Sequence, residues 1–319
     1  KERRGCLEVE EGADIDESPG EYVQRVLDRQ VGGGGRFQRL YLLALGLPWA
    51  YGAILVYNGS FAGSEAFAEG VNCTLPVAER VLERLELNET LSFIADFDLV
   101  CENHHLVPML STLYFFGFSF GVPFFGALSD AKGRRLGYAV PLAIILLAMV
   151  LAAAAPGYKT LAAAKILAGF GNGGFGLVAY VWSAEVLGTD FRQVLSLSPN
   201  VLWALGQLLL SPLAYFLRGW RALSWAVAAL GVVNVLYFPW LLESPQWLAS
   251  RGRTEEAWAV LAAAARCNGR PPPARPGGFG APKLQVPAAR GGGARCAAAG
   301  LLDRRLVRRV LVMCFSWVA

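Results

Sequence analysis

The sequence predicts an all-α membrane protein with six complete spans, and three observations predict it. Hydrophobic residues make up 55% of the 319 residues and charged ones 17%, with a mean hydropathy of +0.40, too apolar for a water-soluble domain. The apolar residues gather into runs of about 20, the helical length that crosses a hydrocarbon core of about 30 Å. Short charged turns join most of these runs, and non-helical backbone of that kind has to lie outside lipid.

Composition also excludes classes. The net charge of +4 is small and the cations sit beside the apolar runs, so no nucleic-acid face is expected. The six cysteines show no C-x-x-C spacing and no Cys/His cluster, so neither metal nor redox dithiol is implied. There is no nucleophile–base pair or phosphate loop in a watery setting; no cofactor and no enzyme activity are expected.

Taken in order, residues 1–38 mix acids and bases without the apolar core of a signal peptide and read as a mobile cytoplasmic tail. Within them Tyr22, Val23, Val26 and Leu27 have helical spacing, enough for a turn or two before Gly32–Gly35. Residues 39–242 form the six-helix membrane half. Its first span runs from Leu40 to Phe61 and contains Pro48, tolerated where neighbouring helices satisfy the freed carbonyl. A polar loop from Gly63 to His105 follows. Asn72-Cys-Thr74 and Asn88-Glu-Thr90 in it are glycosylation sequons, whereas Asn58-Gly-Ser60 lies too close to the bilayer. Cys73 and Cys101 share this loop, where two states are open: a disulfide in an oxidising compartment, or free thiols. His104 and His105 have no ligand partner nearby and read as interfacial residues.

Spans two (Leu106 to Leu128) and three (Leu136 to Ala155) are joined by Gly126-Ala-Leu-Ser-Asp130-Ala-Lys-Gly133-Arg134-Arg135, a tight cytoplasmic turn between antiparallel helices. Asp130 is placed to cap a helix N-terminus, and Arg134 and Arg135 to face headgroups. Spans four to six run from Leu161 to Ala184, Val194 to Leu217 and Ala222 to Leu242. With the N-terminus inside, about 23 of the 29 Lys and Arg residues fall in cytoplasmic segments, which sets the orientation. Span four contains Gly169-Phe-Gly171-Asn-Gly-Gly174, which fits G-x-G-x-x-G but sits within an apolar helix. Small residues there serve close helix packing and not a dinucleotide. Lys165, about a turn inside the same span, either snorkels to the outer surface or faces a wet cavity.

Residues 243–305 form a linker. Arg251 to Asn268 should make an amphipathic helix on the inner face, with Trp258, Leu261 and Ala265 on one side. Gly269 to Gly300 is Pro/Gly/Arg/Ala-rich and lacks a hydrophobic period. Residues 306–319 read as the start of a seventh span, and the chain as a fragment. Glu185, Arg192 and Glu243 flank the inner ends of spans four to six. With Asp130, Arg134 and Arg135 they form either a conformational latch or a set of independent headgroup contacts.

The pattern from Gly126 to Arg135 resembles the signature loop between helices 2 and 3 of the major facilitator superfamily. Further stretches are similar to the organic-ion transporters of solute carrier family 22: Phe97-Asp-Leu-Val-Cys101, Tyr114-Phe-Phe-Gly117, Glu185-x-x-Gly188-x-x-x-Arg192, Gly219-Trp-Arg-Ala-Leu223 and Glu243-Ser-Pro-x-Trp-Leu248. Asn172-Gly-Gly-Phe-Gly-Leu-Val-Ala-Tyr180 looks closest to the branch containing member 15, a carnitine/zwitterion-type transporter. Two departures stand out. Lys165-Ile-Leu-Ala-Gly169 carries Lys where the family usually has Arg, and Gln246 replaces a common Arg.

The resemblance implies the N-terminal half of a twelve-helix facilitator, in the plasma membrane, which moves a small organic cation or zwitterion by rocking against a missing C-terminal six-helix half. Polar and aromatic groups that lipid would reject are the cavity candidates: Tyr57, Asn58, Lys165, Asn172, Tyr180, Asn200, Trp203, Gln207, Asn234 and Tyr237. Asn200 aligns with a substrate-contacting position of the cation transporters. Aromatic rings there suit ammonium groups. No Asp or Glu lies deep in the six spans, so charge preference is not legible. Two other functions fit the same sequence, a non-transporting receptor or partner that retains the fold, and a sugar porter.

Overall fold

A computed structural model describes residues 19–62 and 92–273. Among them six helices are long and apolar enough to cross a membrane. We label the helices α1 (Pro19–Val26), α2 (Arg36–Ala62), α3 (Phe93–Asp96), α4 (Leu106–Lys132), α5 (Arg134–Ala153), α6 (Tyr158–Val186), α7 (Arg192–Phe216), α8 (Trp220–Tyr237), α9 (Pro245–Ser250) and α10 (Thr254–Cys267). Helices α2 and α4 to α8 are the spans. They keep the expected order; all but α4 begin two to four residues before the expected starts, while α5, α7 and α8 end short of the expected ends, α8 at Tyr237 and not Leu242. Each span except α6 and α8 carries an internal proline, which a packed membrane bundle tolerates. Asn72, Cys73, Asn88, the Pro/Gly-rich stretch from residue 274 onward and the seventh span lie outside the described residues.

Helix α6 is central. It packs on α4, α5 and α2, while α2 also packs on α7 and α5 on α8. Its seam with α4 explains the glycine run. Gly117 and Gly121 of α4 face the backbone of Ile166 and Phe170, and Gly169 and Gly173 of α6 face the backbone of Tyr114 and Phe118. A Cβ at any of these four would strike a carbonyl of the opposite helix. Two interlocked small-xxx-small pairs thus seat the helices backbone to backbone, which supplies dispersion contact that lipid cannot mimic. Below this seam a buried aromatic stack fills the core. The Tyr138 ring lies 4.7 Å from Phe175 and 5.9 Å from Trp182.

At the end of the bundle that bears the α4–α5 turn, here called the turn end, the structure corrects the reading of a mobile tail for residues 19–38; residues 1–18 lie outside the described residues. Residues 19–26 are helical and continue into a π-helical turn over Leu27–Gly32. Val23, Val26, Leu27 and Val31 are buried in one cluster with Leu248, Ala257, Leu261 and Ala265 of α9 and α10. The spacing of Tyr22 to Leu27 therefore marks a core face, because α10 presents the matching apolar stripe. Trp258 meets Tyr22 edge to face. Asn268, just past α10, locks the assembly. Its Oδ1 accepts from Phe37 N at 2.9 Å, and its Nδ2 donates to Val31 O at 3.0 Å and Gln38 Oε1 at 2.9 Å.

Seating backbones this closely makes the seam intolerant of added volume. Replacing Gly169 with Val should lower stability by about 1–3 kcal/mol, read as a lower melting temperature in detergent. Gly157→Ala, at a position with nothing within 4 Å of a new Cβ, should leave it unchanged.

Candidate functional site

Two constellations bring the sequence-predicted residues together. The first is at the turn end. Gly133 has φ of +105°, a conformation that disfavours any side chain, and this lets α4 stop and α5 start within one residue. The Glu243 carboxylate occupies the space beside it. Its Oε1 accepts from Arg134 N at 2.9 Å and Ser244 N at 3.0 Å, and its Oε2 from Arg135 N at 3.3 Å. A carboxylate on the free N–H groups of α5 satisfies them and complements the helix dipole. Asp130, expected as a candidate N-cap, instead lies in the last turn of α4.

Arg134 is the hub, its side chain 9% exposed. Its Nε and Nη2 grip Glu185 bidentately, at 3.0 Å to Oε2 and 2.6 Å to Oε1, and its Nη1 donates to Asp130 Oδ1 at 2.6 Å and Ser129 Oγ at 3.0 Å. Such forked, charge-assisted contacts are the strong kind. Helix α9 closes the cluster. Trp247 Nε1 donates to Asp130 O at 2.9 Å and Arg251 Nη2 to the same oxygen at 2.6 Å, which covers the α4 C-terminus. The Arg135 guanidinium stands apart from the carboxylates, 5.4 Å over the Phe238 ring. Arg192 opens α7; its side chain lies outside the described residues. Ser129, Trp247 and Arg251 were missed from sequence, although the Glu-Ser-Pro-x-Trp-Leu stretch contained the signal. Gln246, the departure from a common Arg, donates to Gln24 Oε1, and Gln24 Nε2 donates to Leu187 O at 3.1 Å. The polar amide therefore ties α1 to the bundle.

The second constellation lies between α2, α4 and α6, nearer the opposite end, here called the loop end. Asn172, at the midpoint of α6, is 4% exposed and its Nδ2 donates 2.8 Å to the Tyr114 hydroxyl. Lys165 lies seven residues earlier on the same face, about 10 Å along the axis. Because α6 begins at Tyr158, Lys165 is about two turns inside the helix and not one. It sits beside Asn58 and Gly59 of α2, in a cleft of about 540 Å³ and the small cavity under it. Along the neighbouring face Tyr57 meets Trp203 edge to face at 6.3 Å, and Trp49 meets Tyr180 at 6.5 Å. Gln207 is half-buried one turn on from Trp203.

Three candidates fall elsewhere. Asn200 is exposed and donates to Ser196 O of its own helix at 3.2 Å. Asn234 and Tyr237 are used at the α5–α8 seam. There the Tyr237 hydroxyl donates to Asn234 Oδ1 at 2.8 Å and lies 2.7 Å from that of Tyr138. Their polarity serves packing because each satisfies the other. Cys101 is disulfide-bonded.

The family described as "Sugar (and other) transporter" matches residues 57–275. The chain belongs to this transporter family. Among curated relatives it is 30% identical over 264 residues to "Organic cation/carnitine transporter 4" of Arabidopsis thaliana, covering 79% of this chain and 49% of that protein. It is 34% identical to "Solute carrier family 22 member 15-like" of Xenopus laevis, over 58% of this chain and 38% of the relative. With "Solute carrier family 22 member 7" of Rattus norvegicus it shares 31%, over 67% and 40%. The resemblance to family 22, with its member 15 branch, is borne out. The chain spans about half the length of these relatives or less. The xylose transporter XylE from E. coli, in a partially occluded inward-open conformation, superposes with a TM-score of 0.52 at 18% identity, over 70% of this chain and 55% of that one. That likeness shows the major facilitator fold. The chain is thus an integral, multi-pass membrane protein of a family of transporters, not enzymes.

The two acids on Arg134 should differ in weight. Glu185, 16% exposed, should cost about 3 kcal/mol when replaced by Gln, since a mostly buried guanidinium loses its forked partner. Asp130 is 72% exposed, and Asp130→Asn should cost under about 1 kcal/mol. Melting temperatures of the two variants in one detergent give the order.

Proposed function

We propose that this chain is the first half of a carrier for small organic ions, working by alternating access against a second six-helix half. The observation that carries the reading is the polar and aromatic face gathered at depth in the bundle. Asn58, Lys165 and Asn172 stand beside the Tyr57–Trp203 and Trp49–Tyr180 pairs, in a chain whose relatives are named for organic cation and carnitine transport. Lipid rejects such groups, and a solute pathway needs them. The rings suit an ammonium group through their π faces. The lipid-length spans leave large apolar side chains exposed, among them Phe116, Phe120 and Phe124 on α4 and Leu197, Val201 and Leu208 on α7, for lipid and the second half to cover.

In this reading the turn end is cytoplasmic, in line with the basic residues gathered there, and the loop end faces outward across the plasma membrane. The outer loop then carries glycans at Asn72 and Asn88, and Cys73 is the partner of Cys101. The Arg134 cluster acts as the latch: α4, α5, α6 and α9 are held together while its ion pairs persist, and a state that opens the turn end has to part them.

Uptake by the full-length protein in proteoliposomes tests the function. Accumulation of organic cations or zwitterions above empty vesicles is expected, and glucose and xylose should not compete. No uptake across cations, zwitterions and anions would favour the non-transporting reading; competition by a sugar would favour a porter. Orientation has a separate test at Cys267, exposed at the end of α10. A membrane-impermeant maleimide should give more labelling of the native chain than of Cys267→Ser only after cells are permeabilised. The same difference in intact cells would invert the topology.

A further inference from the structure

We infer that the small cavity beneath the loop-end cleft is the site of a single buried water, held between Lys165 Nζ and Asn58 Oδ1. The inference goes beyond the transport reading and does not depend on it. It begins with four side chains that line this cavity and keep hydrogen-bonding capacity unspent. Lys165 projects from α6 against α2 so closely that a Cβ built on Gly59 would lie 3.4 Å from its Nζ. No hydrogen bond or ion pair engages that ammonium among the described residues. Asn58 of α2 is 4% exposed, and its Oδ1 has no hydrogen-bond partner among them. The Tyr114 hydroxyl of α4 accepts from Asn172 Nδ2 at 2.8 Å, which leaves its own proton to give. Ser224 Oγ of α8 donates to Trp220 O at 2.8 Å, which leaves its lone pairs to accept. Buried polar atoms are nearly always satisfied, so an orphaned amide oxygen beside an unpaired cation marks a place where something else completes the bonding.

Charge, valence and size together name the occupant. A carboxylate or halide would take the Lys165 protons but has none to give the Asn58 oxygen. A metal cation would suit that oxygen but would be repelled by the ammonium, and no Asp or Glu lines the cavity or the cleft to offset the two charges. What remains is a neutral molecule that both accepts and donates. The cavity holds about 20 Å³, enough for the roughly 10–15 Å³ that one water needs and too little for a larger solute. A water there accepts from Lys165 and Tyr114 and donates to Asn58 Oδ1 and Ser224 Oγ, which uses its full valence. Its partners come from α6, α4, α2 and α8, so one molecule joins four spans. The same molecule solvates the Lys165 ammonium at membrane depth, which explains how a cation stands there with no carboxylate beside it. Lys165, Gly59, Phe93 and Tyr114 line the cleft as well as the cavity, so the water enters from the cleft.

The first test is a structure of the native full-length protein at a resolution that shows ordered water. One water should lie within about 3.2 Å of both Lys165 Nζ and Asn58 Oδ1. A Lys165 Nζ bonded directly to Asn58 Oδ1, a bound ion between them, or a dry cavity would each overturn the assignment. Melting temperatures of the full-length protein in one detergent give a second readout. Asn58→Leu takes away the acceptor and strands the water and the ammonium, and should lower the melting temperature by about 2 °C. Adding Lys165→Met to it should recover most of that loss, because apolar groups that replace both ends of a bridge leave nothing buried without a partner. A double variant that melts lower than Asn58→Leu alone would show that the two side chains are not bridged.

Discussion

The structure depends on one crowded contact, the Glu243 carboxylate seated against Gly133. It lets two membrane helices reverse direction within a single residue, because the carboxylate neutralises the free N–H groups that such an abrupt start leaves exposed. Arg134 can then turn its guanidinium back toward Glu185 and Asp130. The acid that makes this possible comes from beyond the sixth span. The first turn of α5 is therefore finished by residues more than a hundred positions later, and α9 is as much a part of that turn as the turn itself.

The polar contacts at the turn end are long-range ones. Carboxylates, backbone carbonyls and the amides of Gln24, Gln246 and Asn268 tie α1, α9 and the end of α10 to the spans. The network is not complete, because Gln38 Nε2, Arg135 Nε and Trp182 Nε1 are buried there without a hydrogen-bond partner among the described residues.

How much of this was legible varies with the range of the forces involved. The six spans were, since hydropathy over about 20 residues is a local property. So was the close packing of Gly169 to Gly174, because a membrane helix offers small residues little other use. The partners inside the turn-end cluster were legible as charges but not as bonds. Nothing in the local sequence says that Glu243, and not Asp130, would meet the α5 amides. The helical nature of residues 19–32 was visible in the spacing of Val23, Val26 and Leu27, yet their burial was not, because it requires the matching stripe on α10. Asn234 and Tyr237 show the opposite error. Polar residues in a span suggested a cavity, but a pair that satisfies itself and Tyr138 needs no water.

The clamp made by Asn268 has a geometric consequence for whatever follows it. By accepting from Phe37 and donating to Val31, that side chain brings the end of the described chain to the foot of the first membrane helix, although the polypeptide has just emerged from the sixth. The strap that leads onward therefore departs from beneath α2. Its usable reach is measured from there, and a tug on it would be felt first by the helix that carries Asn58 and Tyr57.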